Sequence, residues 1–219
     1  MRTLLCLLVL LLMGAETTLF TQAPLRDPNE FATQSAANEY GLKVLKPIID
    51  KKSEDPSESP ALRRRLELLQ KAGAERKIWF HFSPTYYFEF RSTAAGLSRN
   101  KEGRVILTIF TPVFREYSQH TTKAEFEDYV SLVFAHEVIH WELGESGEFP
   151  HFGRSTPEQQ MLGEAKAWAI TVRSIVRQRL NQGRRQQRRA VYLSELLTML
   201  KDDATNPIWL EQFRDPNWR

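Results

Sequence analysis

The segment SLVFAHEVIHWELGE, Ser131 to Glu145, leaves this chain few folds to choose from. Just upstream, Thr122 and Glu125 have the spacing of a capping box, in which each side chain accepts a backbone N–H at a helix start. A helix from there to about Leu143 is expected. From Val130 to Trp141 it is almost wholly apolar apart from His136, Glu137 and His140. Such a helix must be buried on more than one side. A carboxylate and two imidazoles inside a core are costly unless something pairs with them.

Residues one turn apart share a helix face, so His136 and His140 project together and can grip one cation. Glu137 lies about 100° further round the axis. There its carboxylate can reach a water at the site without taking a coordination position. HEVIH has the His-Glu-x-x-His form, whose chemistry is two zinc ligands and a general base. The bland alternative is a pair of satisfied core histidines. With only five histidines in 219 residues the pattern is rare by chance, and the desolvation cost favours the metal.

Catalytic zinc takes three protein ligands and keeps one position open. A zinc-peptidase pattern with a third histidine would place a glycine at position 143 and a histidine at 146. The chain has Leu143 and Ser146 instead. The remaining route is a carboxylate from the next helix, which Thr156, Pro157 and Gln159 announce by a cap, a first-turn proline and a second capping box. Along it Met161, Glu164, Trp168, Thr171 and Ile175 recur at spacings of three and four, with Lys166, Arg173 and Arg177 on the other face. Glu164 thus stands in an apolar stripe beside the small Ala165 and Ala167, and needs a cation or a core arginine to offset its desolvation. His151, in a loop, competes as third ligand; Glu145 and Glu148 are weaker candidates.

HEVIH followed by Glu164 in GEAKAW resembles the gluzincin branch of zinc metallopeptidases, over roughly Arg104 to Val176. The resemblance implies an α+β, zincin-like fold: a small, mostly antiparallel sheet packed on an active-site helix and a glutamate-bearing helix. It also implies Zn2+ held by His136, His140 and Glu164, with Glu137 as general base in the hydrolysis of a peptide or protein substrate. RVILTIF (Arg104 to Phe110) would be the edge strand to which an extended substrate adds. His151, Tyr117 and Tyr192 are the candidate donors to the oxyanion. Trp168 stands where thermolysin-like members carry an acidic residue, and Glu142 where an apolar residue is common. The resemblance therefore reaches the branch and not a particular family.

The N-terminus, MRTLLCLLVLLLMGA, has one arginine, an apolar run from Leu4 to Met13 and then small residues. About ten apolar residues fall short of the roughly 20 that cross a bilayer. A signal peptide over 1–15 and export to the periplasm or the exterior are expected, rather than an uncleaved anchor. Cys6 is the chain's one cysteine, so after cleavage neither a disulfide nor a thiolate ligand is possible, and a metal must be held by His, Asp or Glu. A net charge of +3 does not demand nucleic acid.

The rest, 16–219, reads as one domain. N-terminal helices are expected over 27–73, opened by Asp27-Pro28 and by Ser59-Pro60, with Phe31, Leu42, Leu45, Ile49, Leu62, Leu66 and Leu69 buried. A sheet follows over 74–112, built from Arg76 to Phe82, Tyr86 to Ser92 and Arg104 to Phe110, with AAGLSRNKEG as a turn. Then come metal-site helices over 122–180, and a C-terminal helix and aromatic tail over 184–219. The arginine-rich run Arg173 to Arg189 is a solvated face or a contact surface for anionic envelope material. An exported zinc peptidase is the leading expectation. Its competitor is an inactive zincin-like module that binds an anionic or protein partner through those arginines.

Overall fold

In the computed structural model, residues 27–87, 93–148 and 156–176 are described. The fold is mixed α+β: N-terminal helices, a three-stranded sheet, and helices that carry the site. No helix among the described residues is long and apolar enough to cross a membrane.

The first helix starts later than Asp27-Pro28 suggests. Asp27 makes a turn instead, its Oδ1 accepting the Asn29 N–H. Thr33 is the cap, its hydroxyl accepting the Ala36 N–H, and α1 is Gln34–Tyr40. A π-helical turn, Gly41–Leu45, carries it into α2, Lys46–Glu54. A Cβ on Gly41 would sit 2.3 Å from the Phe82 ring, so glycine is what lets this turn approach the sheet. The extra residue of the π turn rotates the helix. Leu45 and Ile49 are buried as the periodicity predicts, but Leu42 is 58% exposed.

Ser59 caps α3, Pro60–Ala74, which buries Leu62, Leu66, Leu69 and Ala72. A Schellman-type turn closes it: the Lys77 N–H bonds to the Ala72 carbonyl and the Arg76 N–H to Gly73, with Arg76 left-handed at φ 57.

The strands are β1, Ile78–Ser83, β2, Ala95–Arg99, and β3, Val105–Phe110, in the order β1-β3-β2. The sheet is mixed rather than mostly antiparallel: β1 runs parallel to β3, and only β2 is antiparallel to it. β2 occupies the first half of the segment expected as a turn. Ala95, Leu97 and Arg99 alternate with Gly96 and Ser98, and Leu97 fills the core. The turn itself shrinks to Asn100 through Gly103, where Asn100 Oδ1 accepts the N–H groups of Glu102 and Arg104. The strand expected over Tyr86 to Ser92 lies mostly outside the described residues.

The centre of the sheet falls to β3, which the resemblance made an edge. Its apolar sequence VILTIF suits a strand paired on both sides. An unexpected helix, α4, Thr111–His120, follows, and Thr111 donates its hydroxyl to the Ser83 carbonyl. Next are α5, Lys123–Glu145, with the expected capping box at Thr122 and Glu125, and α6, Pro157–Thr171, capped at Thr156. A π-helical turn, Val172–Val176, continues α6.

Candidate metal centre

α5 is the central helix, with α2, α3, α6 and β2 packed around it. It is buried from Phe126 to Leu132 and again from Phe134 to His140. His136, Glu137 and His140 are therefore fixed inside the molecule rather than displayed on a surface. Leu143 and Ile139 pack against Ala167 of α6, and Ala165, Ala167 and Ala169 are fully buried. The small Ala167 at this contact lets α6 approach closely enough for its Glu164 to reach the two imidazoles.

One ligand atom each from His136, His140 and Glu164 lies within 4.8 Å of the others. The two Nε2 atoms are 3.1 Å apart. Glu164 Oε1 is 3.2 Å from His140 Nε2, and Oε2 is 3.5 Å from His136 Nε2. Ligands about 2.0–2.2 Å from a tetrahedral zinc lie about 3.3–3.5 Å from each other. The three side chains thus approach to slightly under or about that spacing, with one Glu164 oxygen near each imidazole, and the two-imidazole, one-carboxylate donor set suits zinc without a thiolate. Glu164 closes the cluster from the open side: both histidines are buried, whereas the Glu164 side chain keeps 46% exposure. The stripe position of Glu164 thus points to the site's mouth rather than into the core.

Electrostatics couple the group. Burial holds His136 below the usual imidazole range. Burial acts most strongly, to lower His140, but the Glu164 charge and hydrogen bond together with the Glu137 charge outweigh it and raise the imidazole. Desolvation opposes ionisation of Glu164, yet the His140 charge and the contacts of its two oxygens with the imidazoles hold its carboxyl well below the usual range. Burial pushes Glu137 up to about 7, with the His140 charge opposing the rise and the Glu164 charge adding to it.

Two α6 side chains around His136 complete the site, and their role was not recognised in the sequence. Trp168 lies against its ring at 4.3 Å, tilted by 32°. Thr171, fully buried, places Oγ1 3.1 Å from Nδ1. Both stand in the stripe at spacings of four and three after Glu164, which marked them as core residues without saying that the core contains an imidazole.

The remaining candidates are not brought to the cluster. Glu145 pairs with Arg99 of β2, and Glu148 pairs with Lys166. Tyr117 stacks on Tyr129 at 4.1 Å, two helical turns before His136 and so about 10 Å from it along the axis. His151, Tyr192 and the arginines beyond Arg173 lie outside the described residues, as does the Met161 side chain.

A short groove enclosing only about 10 Å³ lies beside the site, lined by Leu97, Ser98 and Arg99 of β2, Val105 of β3, and His140, Trp141 and Gly144 of α5. Glu137, Trp141 and Gly144 follow at spacings of four and three, so Glu137 shares the side of α5 that faces this groove. Phe110 donates its N–H to the Ala94 carbonyl, and Asn100 to that of Arg104. In the antiparallel register these fix the even-numbered residues of β2 as those bonded to β3. The backbone groups of Ala95, Leu97 and Arg99 therefore point to the outer edge, where no strand pairs with them among the described residues.

No protein-family model, no curated protein and no solved structure matches this chain.

Proposed function

We propose that this chain is an exported, zinc-dependent metallopeptidase of the gluzincin type. The observation that carries the reading is the cluster of His136, His140 and Glu164, with the two Nε2 atoms 3.1 Å apart, Glu164 Oε1 3.2 Å from His140 and Oε2 3.5 Å from His136, and the buried Glu137 beside it. Zinc held there supplies Lewis acidity, lowering the pKa of water and polarising a carbonyl. Glu137, buried beside the two imidazoles, would accept a proton from the attacking water on one oxygen and return it to the departing amine. The edge of β2, and not β3, takes the extended substrate. Its outward N–H and C=O groups at Ala95 and Leu97 would hold a peptide backbone as an added strand.

Cleavage of casein and of a peptide library by the full-length protein tests the activity. Glu137→Gln, which keeps size and removes the base, is expected to lower the rate roughly a hundred-fold or more while leaving zinc bound. Undiminished cleavage by that variant would sink the proposal. Cleavage confined to cell-wall peptides would keep the mechanism and narrow the substrate.

A further inference from the structure

We infer that Thr171 sets the tautomer of His136, keeping its Nε2 lone pair on the cation position; the inference rests on the metal reading above. The threonine hydroxyl has one hydrogen, and it is committed: Oγ1 donates to the Ala167 carbonyl, one turn back in α6, at 2.8 Å. That carbonyl can only accept. At 3.1 Å from His136 Nδ1 the same oxygen must therefore accept in turn, so Nδ1 carries the imidazole proton. Nε2 is then left with its lone pair, and the 3.1 Å bond between the two Nε2 atoms runs from His140 to His136.

Competing arrangements are closed off. Thr171 is fully buried and His136 nearly so, which keeps water from Nδ1. The Trp168 indole lies against the imidazole at 4.3 Å, so the ring cannot turn over and exchange Nδ1 for carbon without displacing it. Trp168 and Thr171, three residues apart on α6, thus hold one face and one edge of the same ring. Ligating imidazoles are generally held by a carboxylate, carbonyl or water at the second nitrogen. Here the acceptor is a hydroxyl polarised by a backbone carbonyl, and α6 provides both this acceptor and the third ligand. Docking of one helix therefore completes the coordination set and orients one of its buried imidazoles in a single step.

Nitrogen-15 NMR of the imidazoles in the metal-free wild-type protein reads the tautomer directly and needs no variant. His136 is expected in the Nδ1–H form; the Nε2–H form would overturn the inference, whatever happens to the variants. Zinc affinity, measured against a chromophoric chelator, provides the second test. Thr171→Val, of nearly the same shape but without an acceptor, should weaken zinc binding roughly 10- to 100-fold. Thr171→Ser, which keeps the hydroxyl, should remain within about threefold of wild type. Equal affinity in Thr171→Val contradicts the inference. A wild-type protein that binds no zinc refutes the metal reading instead, and the NMR spectrum still decides the tautomer.

Discussion

Glu137 is a carboxyl inside a helix core, pushed up to about 7 chiefly by burial, where an unfolded chain would hold it near 4.5. A folded-state pKa above the unfolded one means that the native protein binds this proton more tightly. Its contribution to stability is fully present below about pH 4.5 and is lost as pH rises towards 7. Removing the charge should therefore stabilise the metal-free protein at neutral pH. Glu137→Gln is expected to gain about 3 kcal/mol over wild type above pH 7, by urea unfolding, with the difference vanishing below pH 4.5. A variant as stable as wild type at pH 8 would show that Glu137 is not desolvated. The same substitution should abolish cleavage, so stability and activity move in opposite directions, as expected of a residue held in a strained electrostatic setting for its chemistry.

Among the elements, the contact between α2 and α5 carries the least forgiving interaction. Lys52 lies buried with Nζ 2.6 Å from Glu58 and 2.9 Å from Asp128, both carboxylates being buried as well. Removing the cation leaves two like charges without their shared partner. Lys52→Met should cost about 3–5 kcal/mol in urea unfolding, far more than loss of an exposed pair such as Lys43–Glu39. A loss under about 1 kcal/mol would refute the role assigned to this triad. How much of this was legible in the sequence differs by element. The caps at Ser59, Thr122 and Thr156 and the helices they open are local signals, and they were readable. So were the convergence of His136 with His140, set by helix periodicity alone, and the stripe that carries Glu164. What escaped was set by tertiary pairing. β2 is short and contains a glycine, and is a strand because β3 pairs with it; the parallel arrangement of β1 depends on where the intervening chain returns. α4 begins at Thr111 without a side-chain cap from Phe110, which leaves Pro112 in the first turn as a weak start signal inside an otherwise strand-like run. Thr171 could be placed on a face but not paired with Nδ1, because nothing in a sequence gives the rotation of α6 against α5.

Across the molecule, α5 divides structural duty from chemistry. At about 100° per residue, Glu127, Phe134 and Glu142 fall on the side opposite His136 and His140. That side meets the N-terminal helices: Lys51 pairs with Glu127, and Arg65 of α3 joins Glu142 to Ser174 beyond α6. The N-terminal helices thus back the site from behind and brace both ligand-bearing segments. The imidazole side meets α6, and the Glu137 side faces the groove against β2. Metal binding takes one side of the helix, proton transfer and substrate docking share the next, and His140 borders both. The ligand cluster is tested most directly by the zinc content of full-length wild type, His140→Ala and Glu164→Ala, purified and dialysed side by side. One zinc per wild-type chain, lost from both variants, is the predicted result; zinc retained in full by Glu164→Ala would contradict it.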